Sequence, residues 1–96
     1  MRFEWNEDKR RLNEQKHGVT FEEAKSVFYS DNALLFDDPD HSEEEERFLL
    51  LGPSAVGRVL VVVHCCREDG DVIRVISARK STRSEENAYL RQGGAR

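Results

Sequence analysis

The sequence predicts an α+β fold: a small twisted antiparallel β-sheet with two N-terminal helices and one C-terminal helix, in the order β-α-α-β-β-β-β-α. Three observations carry this expectation. Thr20 with Glu23, and Thr82 with Glu85, are capping-box pairs that mark helix starts. "RFLLLG" and "RVLVVVHCC" are apolar runs of strand length, the second apolar on both faces and therefore central in a sheet. Asp69-Gly70 stands between two such runs as a hairpin signal. Helical patterns thus flank a block of strands, which packs most simply as a sheet with helices mainly on one face.

Each element has its own local cause. "MRFEW" alternates Phe3 and Trp5 with Arg2 and Glu4, a short strand. Asn6 suits an N-cap, and Glu7 and Asp8 favour the positive end of a helix running to about Lys16, with Leu12 as its one apolar anchor. Gly18 suits the left-handed position that ends this helix. The second helix begins at Thr20 and repeats Phe21, Ala24, Val27 and Phe28 on one face. "NALLFDD" reads as a strand, followed by an acidic loop from Asp37 to Glu46. "RFLLLG" then turns at Gly52-Pro53. With Asp69-Gly70 as a two-residue turn, the last hairpin pairs Leu60 with Arg79, placing Arg74 and Lys80 on one sheet face and Arg79 on the other. The last helix would point Tyr89-Leu90 inward.

Ninety-six residues fit a single domain, 1–96, with one modest core. No apolar run is long enough to span a bilayer, and the charged N-terminus is unlike a signal peptide, so a cytoplasmic location without membrane contact is expected. Cys65 and Cys66 are neighbours on a strand, pointing to opposite faces. They read as reduced core thiols rather than a disulfide or a zinc site. Net charge is −4, unevenly spread: residues 1–57 hold 7 Lys+Arg and 14 Asp+Glu, whereas residues 58–96 hold 8 and 5. One half of the chain is therefore suited to a polyanion and the other repels it.

The candidate chemistry gathers at "RVISARKSTRSEENAYL". Arg79, Lys80 and Arg83 lead into a helix N-terminus, where free N–H groups and flanking cations attract phosphate. Arg74 precedes them on the same strand. Cleavage of RNA without a metal or other cofactor needs cations for the phosphorane charge and two proton carriers. His17, His41, Glu85 and Tyr89 qualify by chemistry, although no spacing links them to the Arg-Lys pair. His64, on a buried strand, reads as a core histidine. Asp37, Asp38, Asp40 and His41 offer a third reading, a hard-cation site, without a spaced ligand pattern.

"FEWNEDK", "N..KHGVTFEEA..VF", "DPDHSEEEERF", "GRVLVVVH" and "RVISARKSTRSEENAY" resemble, in this order, the BrnT family, toxins of type II toxin–antitoxin pairs. The resemblance runs from about Phe3 to Tyr89. It implies a RelE-like ribonuclease fold, RNA cleavage that inhibits translation, and neutralisation by a BrnA-type antitoxin. That antitoxin's ribbon-helix-helix part would bind operator DNA, so the toxin meets DNA only through it. By motif position, Lys16 and His17 fill the "KHG" segment, and His41, Glu45, Glu46 and Arg47 the "HS..EER" segment. Arg79 and Lys80 fill "SARK", with Glu85 and Tyr89 in the closing helix. Catalysis is then expected from Arg79, Lys80, His17, His41, Glu85 and Tyr89, and substrate binding from Arg74, Arg83, Lys16 and Arg47. Such toxins are typically more basic than this chain. The competing reading is a non-catalytic module whose sheet and acidic loop grip a basic partner protein.

Overall fold

Caps and apolar periodicity set the elements in the computed structural model, which describes residues 1–39 and 46–92. They are β1 (Arg2–Glu4), α1 (Glu7–His17), α2 (Phe21–Val27), β2 (Leu34–Asp37), β3 (Phe48–Pro53), β4 (Val59–Arg67), β5 (Val72–Lys80) and α3 (Arg83–Arg91). The Asn6 side chain accepts from the Lys9 N–H at 3.1 Å, and Gly18 closes α1 with φ 67°. Thr82 and Glu85 form the full reciprocal box at α3. At α2 only half of the box forms: Thr20 accepts from the Glu23 N–H at 3.0 Å, while the Glu23 carboxylate turns away to Arg58.

The sheet runs β1-β5-β4-β3-β2, with β4 in the centre. It is mixed, not antiparallel as the sequence suggested, because β1 pairs in parallel with β5 through Arg2↔Val72 to Glu4↔Arg74. Hairpin signals fix direction only for strands joined by tight turns, and β1 is joined to none. The turn between β4 and β5 is also longer than two residues. Glu68–Gly70 form a 3-10 turn in which Glu68, Asp69 and Gly70 all have positive φ.

Past that turn the expected register holds from Arg67↔Val72 to His64↔Val75, and then a β-bulge takes up Ile76. Beyond the bulge Val62 faces Ala78, Val61 faces Arg79 and Leu60 faces Lys80. The single extra residue reverses the expected faces. Arg74 and Arg79 now share one face, and Lys80 lies on the other.

Leu50, Leu60, Val62, Val75 and Ala78 pack under Val19, Phe21, Ala24 and Val27 as the main core. Burying a side chain such as Phe21 stabilises by roughly 1.5–3 kcal/mol. Gly52 is required here, since a Cβ would meet the Ala33 Cβ at 2.8 Å. The opposite face holds a smaller cluster, Leu51, Val61 and Tyr89 of α3. Val19 and α2 therefore cover one face, and Tyr89 of α3 packs on the other. His64 is buried between Phe28 and Phe48, and burial lowers its pKa, as suits a core histidine.

Three expectations change on burial. Leu12 is 63% exposed, so it anchors nothing, and Leu90 is exposed beside the buried Tyr89. Cys65 is a core thiol but Cys66 is exposed, because the two faces of β4 are covered unequally at that end.

Candidate functional site

Since β1 pairs only with Val72, Ile73 and Arg74, the edge of β5 beyond them has no strand partner among the described residues. Asn13 replaces it. Its side chain accepts from the Ala78 N–H at 3.0 Å and donates to the Ala78 carbonyl at 2.8 Å and the Val19 carbonyl at 3.0 Å. Buried backbone groups need such partners, so this one amide holds α1 against the edge of β5. Lys9, Asn13 and Lys16 lie on one helix face by their spacing. With Leu12 and His17 they border a cleft of about 200 Å³ whose other wall is Ile76 and Ser77 at the bulge.

The helix end that carries Lys16 and His17 is fixed from behind. Arg58 donates from Nη2 to the Gly18 carbonyl at 2.9 Å and grips Glu23 through Nε at 2.8 Å and Nη2 at 2.7 Å. The Ser54 hydroxyl donates to the same carboxylate at 2.7 Å. Arg58 first, and then Ser54, hold the Glu23 carboxyl below the usual carboxylate range despite burial. The arrangement offers two ammonium groups and one half-buried imidazole around a cleft on a rigid frame. Its chemistry suits anion binding with proton transfer.

The cations at the end of β5 stand differently. Arg79 donates from Nη1 to Glu85 Oε1 at 2.7 Å and from Nη2 to Oε2 at 2.8 Å. Oε1 also accepts from the Thr82 N–H at 2.8 Å, inside the α3 cap. This guanidinium pulls the Glu85 carboxyl down to about 2, so the residue is an anion that cannot exchange a proton near neutrality. Lys80 is exposed on the face covered by Val19 and α2, three residues or about 10 Å beyond Ser77.

The remaining described candidates do not line the cleft. Tyr89 is 2% exposed and packs with Leu51 and Val61 on the face covered by α3. Arg74 pairs with Glu4 at 2.8 Å, and Arg83 is exposed in the first turn of α3. Arg47 precedes β3, two strands across the sheet from β5, beside a hollow of about 280 Å³ shared with Asp37, Asp38, Pro39 and Glu46. Its Nε is buried without a hydrogen-bond partner among the described residues. His41 and Glu45, and with them Asp40 of the hard-cation reading, lie outside the described residues. Among the described residues no group of three or more His, Cys, Asp or Glu is placed to hold a metal ion. No helix of the described residues is long and apolar enough to cross a membrane.

Sequence reasoning missed Lys9, Asn13 and Ser77. The signal for the first two was a polar stripe at helical spacing on a helix without an apolar face. Ser77 depends on the bulge, which no residue type announced.

Comparison with known proteins adds two findings. The family profile described as "Ribonuclease toxin, BrnT, of type II toxin-antitoxin system" matches residues 5–85. A crystal structure of the Brucella abortus ribonuclease toxin BrnT aligns with a TM-score of 0.66 at 24% identity, covering 86% of this chain and 99% of that one. At that identity the likeness establishes a shared fold. No curated protein sequence matches the chain.

Proposed function

The chain belongs to the BrnT family of type II ribonuclease toxins, whose members imply an antitoxin partner; from this premise we propose that it is a metal-independent endoribonuclease acting through the α1–β5 cleft. RNA is the substrate, its cleavage inhibits translation, and a BrnA-type antitoxin neutralises it in the cytoplasm. On this reading residues 1–96 are one RelE-like toxin domain, and operator DNA is reached only through the antitoxin's ribbon-helix-helix part. The observation that carries the proposal is the cleft itself, where Lys16 and His17 meet Ser77 of the "ISARK" strand.

In the proposed reaction the 2′-oxygen attacks phosphorus while the bond from phosphorus to the 5′-oxygen breaks, giving a 2′,3′-cyclic phosphate and a 5′-hydroxyl. One proton leaves the 2′-hydroxyl and one arrives at the 5′-oxygen. His17 is the proton carrier for one of these transfers. Lys16 and Lys9 hold the phosphate, and Lys80, exposed farther along β5, extends the cationic path for the strand. Arg79 positions the start of α3 through Glu85.

The test is RNA cleavage by the purified chain, with and without EDTA, beside Lys16→Ala/His17→Ala and Lys80→Ala variants. Cleavage should survive EDTA and disappear in the double variant. A double variant that cleaves like wild type would remove the cleft from consideration. One observation favours the second reading, a non-catalytic module for a basic partner: the strand-end guanidinium is already occupied by Glu85. A wild-type chain that cleaves neither free RNA nor RNA on translating ribosomes, yet binds its partner, would select it.

A further inference from the structure

The sheet has a second edge, β2, on the side away from the cleft. Among the described residues no strand pairs with its outer side. The Asp38 N–H donates to the Arg47 carbonyl at 3.0 Å, continuing the β2–β3 ladder. By the two-residue period of an antiparallel pair, Leu34 and Phe36 also direct their backbone groups to β3. Leu35 and Asp37 then direct theirs outward.

Exposed edges invite pairing, and proteins commonly protect them with lysine, proline or a covering element. This edge instead carries two large apolar side chains on opposite faces, Leu35 at 60% and Phe36 at 37% exposure. Residues 31–46 supply eight carboxylates and no lysine or arginine, and of these Asp31, Asp37 and Glu46 are exposed at either end of the strand. The two features have different consequences. The open ladder and the apolar pair favour strand addition. The acidic flanks set two copies of this edge against each other and attract an occupant of opposite charge.

We infer that the β2 edge is a docking site for a basic extended segment of a partner protein, which adds as a sixth strand and lays apolar side chains beside Leu35 and Phe36. Main-chain hydrogen bonds to Leu35 and Asp37 supply the pairing, and lysine or arginine side chains near Asp31 and Asp37 supply the selectivity. The site is independent of the cleft, so it stands whether or not the cleft cleaves RNA.

Amide hydrogen exchange of the full chain tests this with two capped octapeptides as probes, one alternating lysine and valine, the other glutamate and valine. The Lys-Val peptide should slow exchange at the Leu35 and Asp37 amides and bind about tenfold tighter than its Glu-Val counterpart at low salt, a gap that closes as salt rises. Leu35→Pro removes an outward donor at an edge where proline is tolerated, and should abolish the protection. Should that variant fold poorly, Asp31→Lys/Asp37→Lys keeps the ladder and should reverse the preference between the two peptides. Equal binding of both peptides, protection elsewhere than β2, or an unchanged preference in the charge-reversed variant would overturn the inference. So would dimerisation of the chain through β2 without peptide, which would make a second copy the occupant.

Discussion

The end of α1 and the end of β5 both place cations beside a helix terminus, yet Lys16 has no carboxylate partner among the described residues whereas Arg79 is held by Glu85. Lys16 and His17 sit in the last turn of α1, where the negative helix end needs positive charge, and no carboxylate pairs with Lys16 among the described residues. Arg79 sits before α3, where the helix supplies its own capping carboxylate, and Glu85 takes the guanidinium in a two-pronged grip. A helix N-terminus attracts anions in general. When its capping box already holds one, a neighbouring cation is spoken for before any ligand arrives. The proximity of a cation to a helix start is thus a poor guide to a phosphate site unless the third helical residue is also read.

The largest test of this contrast compares His17→Ala with Arg79→Ala in RNA cleavage. Loss of a positioned proton carrier should lower the rate by roughly 10²–10⁴-fold. Arg79→Ala should act through the placement of α3, with a loss of about tenfold or less and a lower melting temperature. If Arg79→Ala matched His17→Ala while melting like wild type, the roles given to the two ends would have to be exchanged.

The same contrast explains what was legible in the sequence. Caps depend on residues three apart, and Asn6, Gly18, Thr82 and Glu85 all act as their local pattern indicates. The centrality of β4 followed from a run apolar on both faces. What could not be read was set across the sheet. The parallel docking of β1, the bulge at Ile76 and the turn of Glu23 towards Arg58 each depend on residues many positions away. The bulge decides that Lys80, not Arg79, shares a face with Val19 and Phe21, and it sets Ile76 and Ser77 where they border the cleft. Tyr89, a candidate by motif position, lies buried beside Leu51 and Val61, a placement that its position in the sequence does not announce.

The next effect in size concerns how the cleft is held. Asn13→Ala leaves the Ala78 N–H and carbonyl without their partner, and each unsatisfied buried group costs roughly 1–3 kcal/mol. For a chain of this size that is a fall in melting temperature on the order of 10 °C. Hydrogen exchange at Ala78 should quicken at the same time. Leu12→Ala, one residue away on the same helix, should change stability by less than about 0.5 kcal/mol because its side chain is mostly in water. Equal melting of the two variants would mean that α1 is not held through Asn13.

The smallest effect is the most specific to the β5 end. Glu85 is held at about 2, against an ordinary carboxylate value of 4.5, with the Arg79 hydrogen bonds as the leading cause. A depressed folded-state value means that the charged form contributes stability, fully present above the unfolded value. That contribution is lost as pH falls from about 4.5 towards 2. Both side chains are partly exposed, so solvent screening keeps the effect modest, and added salt should weaken it further. Melting curves across this window should therefore fall more steeply for wild type than for Glu85→Gln. Glu23 is also held below the ordinary carboxylate value, by Arg58 first, and acts in the same direction, so the informative quantity is the difference between the two proteins and not the slope of either. Identical slopes would show that the Arg79–Glu85 pair is not formed in solution, which would return Arg79 to the pool of cations free to meet RNA.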